Sequence, residues 1–537
     1  MRERILNTIG IGLLAVCFLI AIARIVFIRF QSKSSVDGSK VVELRIAHWQ
    51  LENGPRAAFE ALANEYSRRH PNVRITQIPI PERIYGNWLV TQLVGGTPPD
   101  LIQLGIGMND ERLARFFTPL SELADRPNPY NDGTPFEGKP LRDTFADGMQ
   151  GGYYPNLVEF YGVPISGKSF RMFYNLDLLR EITGSERVPQ TYDELIALCK
   201  RTQEYAAEKH VRMVPIAGSK YNGGILMQAL FTSQTQKLRE RLTPTGMLVT
   251  PASMLADRLL HKQWSLDTPD AKSGLTLMRE VAQYMQPGFM QLLRDDAMLL
   301  FVQRGAVMIT TGSWDATSIR QESPFRIGVG SIPYPAPDHP VYGRFTYGSI
   351  ADAEGSNAGT VLGIPRDTKH PEETRDFLQF LGSVPGGQIW TDRSGWIPSV
   401  MGTKTSPDAA PFLPNPNGYV AGFSYLEGGA DVGGIVDSNM HNLVSSYGSV
   451  DRFIAATSKS YERAWVSDLQ RNRRAQADIV QRSDTQVASF LWLARKHPEN
   501  AEAQHKADIA LQGADASERT LIYTNMVLNS KANNTAP

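Results

Sequence analysis

The sequence predicts an α/β fold with a helical extension at its C-terminal end, and three observations carry that prediction. Strand-like and helical periodicities alternate from residue 44 to residue 104. A second stretch of alternating strands and helices begins near Phe160. Beyond about Trp465 glycine nearly vanishes, charged and polar residues rise, and the pattern is helical to the end. A chain of 537 residues is long enough for two or three domains of about 150 residues each.

The first unit can be read element by element. Leu44 to Ala47 reads as a strand, and Phe59, Leu62, Ala63 and Tyr66 follow at helical spacing until Pro71. Val73 to Ile78 alternates as a second strand, and Ile84 to Val94 reads as a helix. Gly95 to Pro99 form a hard turn before a third strand, Asp100 to Leu104. This β-α-β-α-β order predicts a mostly parallel open sheet, which binds ligands at the carboxyl ends of its strands. Those ends are His48 to Asn53 and Gln103 to Gly107. In the second unit the strands are Phe170 to Tyr174, Met213 to Ile216 and Ala306 to Thr310. Its helices are Tyr192 to Glu208 and Ser273 to Met285, and Glu372 to Leu381 is a further one.

The first residues are of another kind. Arg2 and Arg4 precede an apolar run from Ile9 to Ala23, which resumes after Arg24 at Ile25 to Ile28. One reading is a cleaved signal peptide with Ala21-Ile22-Ala23 as its cleavage site. The other, favoured here, is an uncleaved transmembrane anchor. Ile5 to Ile28 spans 24 residues, enough to cross about 30 Å of hydrocarbon with the basic end inside. Both place Val41 onward outside the cytoplasm, after a polar linker from Gln31 to Lys40. Cys17 lies in the apolar run, so Cys199 has no partner for an intrachain disulfide in the exported part.

Charge and motifs exclude several classes. Lys plus Arg and Asp plus Glu both number 55, so no basic surface calls for nucleic acid. The nine histidines show no metal-ligand spacing, no nucleophile elbow is present, and neither a metal nor a cofactor is expected. Gly162 to Ser169 satisfies the phosphate-loop pattern G-x-x-x-x-G-K-S. A true phosphate loop runs straight into a helix, whereas Phe170 to Tyr174 reads as a strand, so the match is taken as a turn between strands. A glycosidase with two distant carboxylates is the remaining enzymatic alternative.

Four segments, in order, resemble the family 1 extracellular solute-binding proteins of ABC transporters, in the carbohydrate-binding group similar to maltose-binding protein. They are Gly96-Thr97-Pro98-Pro99-Asp100-Leu101, with Phe117 to Leu120 after it; Tyr161 to Pro164 running to Phe173-Tyr174-Asn175-Leu176-Asp177, with Val188 to Leu195 following; Phe301 to Met308 ending in Gly312-Ser313-Trp314; and Phe377 to Leu381 joined to Gly386 to Trp390 and to Gly395 to Pro398. The match covers roughly residues 42 to 460. The resemblance implies a two-lobe, periplasmic-binding-protein-like fold with a hinge, which closes on its ligand. The implied division is an anchor or signal segment and linker at 1–40, a first lobe of 41–158 with 338–392, a second lobe of 159–337 with 393–465, and a helical extension at 466–537.

It also implies a sugar or oligosaccharide as ligand and ABC permease subunits as partners, with a membrane contact through the N-terminal segment. A sugar offers an apolar face for aromatic rings and hydroxyls for carboxylates and amides. Strand ends and family loops then give Trp49, Gln50, Glu52, Tyr85, Gln103, Trp314, Asp315, Tyr347 and Trp396 as candidate ligand-binding residues. Trp390, near a helix end, is expected in the core. The rival function is a tethered sugar sensor that reports to a signalling partner.

Overall fold

A computed structural model describes residues 41–243, 250–352, 358–407, 409–415 and 417–534. The expected anchor over Ile5 to Ile28, its cleavage site and Cys17 lie outside the described residues. Among those described, no helix is long and apolar enough to cross a membrane.

The strands, in chain order, are β1 (Val42–His48), β2 (Val73–Pro79), β3 (Leu101–Gln103), β4 (Tyr153–Tyr154), β5 (Glu159–Phe160), β6 (Val163–Gly167), β7 (Phe170–Asn175), β8 (Val214–Ala217), β9 (Ala306–Gly312), β10 (Ile327–Gly330) and β11 (Ala358–Gly363). They form two main sheets, ordered β2-β1-β3-β11-β6 and β10-β7-β9-β8, with β4 and β5 as a small pair apart. The sequence predicts mostly parallel sheets, but both are mixed. β1 runs parallel to β2 and β3, while β11 is antiparallel to β3 and β6. In the second sheet only β8 and β9 are parallel. The difference arises because β6 and β11 come from chain segments that cross between lobes and return, a long-range pairing that local periodicity does not encode.

Each sheet anchors its own core. Leu44, Ile46, Phe59, Leu62, Phe377 and Leu381 pack on the first, and Met172, Tyr174, Leu226, Leu230, Leu275 and Trp465 on the second. Local chemistry sets the elements. Asp100 closes the Gly96 to Pro99 turn by accepting from the Arg45 amide at 2.9 Å and from Thr368 Oγ1 at 2.7 Å, which ties β3 to β1. Thr191 and Glu194 form a capping box on the helix Tyr192–Lys209.

The lobe boundaries differ from the expected ones. β6 belongs to the first sheet, so residues 159–167 stand with the first lobe, and the chain enters the second at β7. Tyr342 is buried in the second-lobe core, and Thr346 donates to Gln236 Oε1 at 2.8 Å, so this part of 338–392 stands with the second lobe. Trp396 and Val400 are buried in the first-lobe core and Met401 donates its amide to the Thr144 carbonyl at 2.8 Å, so 393–401 stands with the first lobe, whereas Phe412 packs in the second. The chain therefore crosses at 167–170, between β10 and β11, and between Met401 and Phe412. The position 465 to 466 falls inside one continuous helix, Val450–Lys496, which turns back as Ala501–Asn534. Leu469, past the expected boundary, is still buried in the second-lobe core.

Candidate ligand-binding site between the lobes

The site is built where the carboxyl ends of β1 and β3 face those of β8 and β9. On the first lobe Trp49 follows β1. Its amide donates to Gln103 Oε1 at 3.3 Å, and its ring meets Tyr85 edge-on at 5.0 Å. Gly105, at φ 132°, leaves room for that indole, which lies 3.2 Å from where a Cβ would stand. Tyr85 is fully buried and donates to the Gln103 carbonyl at 2.9 Å. Burial pushes its phenol well above the ordinary range. Tyr85 and Gln103 thus hold the wall on which Trp49 stands, although the Gln103 Nε2 has no hydrogen-bond partner among the described residues. Gln50 is buried beside them.

On the second lobe, β9 ends at Gly312, and the Trp314 ring folds back to 2.2 Å from where a Cβ would be, so any side chain at 312 would displace the indole. Ser313 donates from its amide to the Ser169 carbonyl at 2.8 Å, fixing this loop to the first interlobe crossing. The half-buried Trp314 meets Phe170 edge-on at 5.5 Å and packs against the core of the opposite lobe. Asp315 is buried and accepts from Arg294 and Thr311.

The two walls meet at Glu52. Its Oε2 is buried with no hydrogen-bond partner among the described residues. Burial raises the Glu52 carboxyl pKa, and the negative charge of Asp315 raises it further, while Arg294 opposes both. Burial raises Asp315 as well, against the pull of Arg294 and Thr311. Tyr221, 40% exposed at the carboxyl end of β8, is raised by burial and feels Arg294 and Asp315 on its own lobe and Glu82 on the other. The lobes touch here, through Asn53 Nδ2 donating to Gln321 Oε1 at 3.3 Å and Thr317 Oγ1 donating to the Ser394 carbonyl at 2.8 Å.

Two expected site residues stand elsewhere. Trp396 is 4% exposed and sits edge-on to Trp390 at 6.0 Å, inside the first lobe. The resemblance puts its loop at the cleft, but Ser394 Oγ accepts the Trp396 amide at 3.1 Å and the ring is turned inward. Tyr347 hydrogen-bonds Glu240, with its ring 5.6 Å from that of Tyr419, on the outer part of the second lobe.

Sequence reading missed Arg294, Tyr221 and Phe170. Tyr221 follows the end of β8, so the strand-end rule reaches it in the second unit as well. Arg294 lies 21 residues from Asp315, and nothing local signals their pairing. A cavity of about 590 Å³ adjoins this region and is lined by Lys168, Phe170, Gln228, Tyr334, Asp352 and Glu427 among others. Phe170, 39% exposed, belongs to both. Lys168 sits in the turn from β6 to β7, with a strand after it where a phosphate loop needs a helix. Among the described residues no cluster of acids, histidines or cysteines fits a metal ion.

Two α/β lobes joined by three crossings, with aromatic and charged side chains meeting between them, define a two-lobe binding protein. The chain belongs to the bacterial extracellular solute-binding protein family, whose pattern matches residues 51–388. It is 21% identical over 383 residues to the multiple sugar-binding protein of Streptococcus mutans, across 70% of this chain and 79% of that one. In structure it is similar to the binding protein RafE in complex with raffinose, at TM-score 0.54 and 18% identity over 78% of this chain and 100% of that one. It is also similar to the GacH receptor of Streptomyces glaucescens, solved unliganded and with acarbose, at TM-score 0.56 and 15% identity over 80% and 99%. At such identities the solved structures establish the fold. Membership of an extracellular family places the chain outside the cytoplasm, with solute binding as its task.

Proposed function

We propose that this chain captures a carbohydrate between its lobes and delivers it to an ABC importer, held at the membrane by the apolar run from Ile5 to Ile28. The observation that carries the reading is Glu52 Oε2, a buried acceptor without a partner where the two lobes meet. Leaving a buried polar atom unpaired costs about 1–3 kcal/mol, and a hydroxyl-rich ligand would satisfy it. Trp49 on one lobe and Trp314, Phe170 and Tyr221 on the other supply apolar faces, the other half of what a sugar ring requires. Asp315 and Arg294 neutralise each other and so present a polar pair suited to an uncharged ligand. The sugar-binding names and complexes among the relatives support the same class.

A thermal-shift screen over monosaccharides, oligosaccharides, polyols and short peptides tests the reading, because a ligand bound only to the folded state raises Tm. A rise with one sugar class, confirmed by calorimetry and lost in Trp314→Ala, is expected. A rise with peptides alone would overturn it.

A further inference from the structure

We propose that the C-terminal helical hairpin is an interlobe strap, which is rooted in the second lobe, grips the first, and sets how far the lobes open.

The root is deep. Tyr461, Trp465 and Leu469 of Val450–Lys496 are buried in the second-lobe core, and Val527 of the returning helix joins the same cluster. Tyr523 donates to Asp257 Oδ2 at 2.9 Å beside it. Beyond Leu469 the helix runs roughly 25 Å, at 1.5 Å per residue, before Gln486. There Gln486 Nε2 donates to the Leu157 carbonyl at 2.9 Å, and Lys506 of the returning helix lies 4.0 Å from Glu159 Oε2. Leu157 packs with the first-lobe cluster around Tyr85, and Glu159 accepts from the Ser121 amide at 2.9 Å. Both therefore belong to the first lobe.

The two helices of the hairpin are tied together along their length. Ala494, Ala507 and Ala510 are buried, small residues that let the two helices approach. Gln504 Nε2 donates to the Ala494 carbonyl at 2.7 Å, and Gln476 Nε2 to the Ser517 carbonyl at 3.3 Å. The gripped segment is itself held in an unfavourable shape. Val158, between the two contact points, has φ 51°, a region that branched side chains avoid. Such a conformation persists only where its surroundings over-determine it, and the strap lies on both sides of it.

A hinge rotation moves the first lobe relative to the second. A rigid arm fixed to one lobe and bonded to the other must then release Leu157–Glu159 or resist. In the arrangement described, the lobes touch at Asn53–Gln321 and Thr317–Ser394, so an engaged strap favours the closed state.

The test needs no ligand, so its failure is separate from failure of the carbohydrate reading. Spin labels at Glu60→Cys on the first lobe and Lys209→Cys on the second, in the full chain, report the interlobe distance by pulsed electron resonance. Gln486→Ala/Lys506→Ala is expected to broaden the distribution toward longer distances and to at least triple the open fraction, while circular dichroism stays unchanged. Should the double variant fail to fold, Gln486→Ala alone serves, with a smaller shift in the same direction. Identical distributions in the parent and the folded variant would overturn the strap.

Discussion

Glu52 on the first lobe feels the negative charge of Asp315 on the second, and with burial this raises its carboxyl pKa. A carboxyl raised by folding holds its proton more tightly in the folded chain. Its share of stability is full below the unfolded pKa of about 4.3 and is lost as pH rises through the folded value. Glu52→Gln should therefore melt higher than the parent at pH 7, with the gap closing toward pH 4. The same variant should bind ligand at least tenfold more weakly. A variant that melts lower than the parent at pH 7 would remove Glu52 from this role.

Trp314 stands between Phe170 and the core of the opposite lobe. Trp314→Ala should weaken carbohydrate binding by about 1–3 kcal/mol, the value of burying and stacking a large aromatic. Calorimetry on the screened sugar reads this directly. A collapsed Tm with unchanged affinity in the surviving fold would make Trp314 purely a packing residue.

His48 titrates in the opposite sense. Its ring is buried, stacked on Phe59 at 4.5 Å, and burial lowers its pKa to about 4, against the hydrogen bond to Gln77. A lowered histidine contributes stability that is present above the unfolded value of about 6.5 and lost as pH falls through the folded value. Urea midpoints should fall between pH 6.5 and pH 4, and His48→Gln should fall less over that window. Equal slopes in the two proteins would count against it.

Asp468 accepts the Val432 amide at 2.9 Å and the Asp431 amide at 3.1 Å, and so caps the helix Ala430–Asn439 from a distant helix. Asp468→Ala should cost about 2 kcal/mol, the range for a charge-assisted hydrogen bond to a buried partner. Denaturant titration measures it. Truncation after Trp465 removes this carboxylate and Leu469 together and should lower Tm more.

Lys168 completes a phosphate-loop pattern but precedes a strand. No ATP affinity tighter than about 1 mM is expected by calorimetry, and Lys168→Ala should change none. Micromolar ATP binding abolished by that substitution would restore the nucleotide reading.

The β-α-β-α-β opening was legible because each element there is local. The alternation in Val73 to Ile78 and the helical spacing of Phe59, Leu62 and Tyr66 are readable one segment at a time. The strand-end rule then found Trp49, Gln50 and Glu52. β6, β10 and β11 were not legible as sheet members. Each is short and paired to strands far away in the chain, so its own pattern says little. Trp396 misled for a related reason, since a tryptophan after glycine looks alike in a cleft loop and in a turn folded back into a core.

The sequence by itself determined the α/β class, the order of the main helices and strands, the family and the absence of a phosphate-loop helix, because these follow from periodicity, turn chemistry and motif order. Only the tertiary structure decided which charges meet. Arg294 and Asp315 come from two separate segments of the second lobe, and their coupling to Glu52 depends on the lobes lying against each other. The same holds for the hairpin. Its helical pattern was plain in the sequence, but its grip on Leu157 and Glu159 exists only because packing at Trp465 and Val527 aims it across to the first lobe.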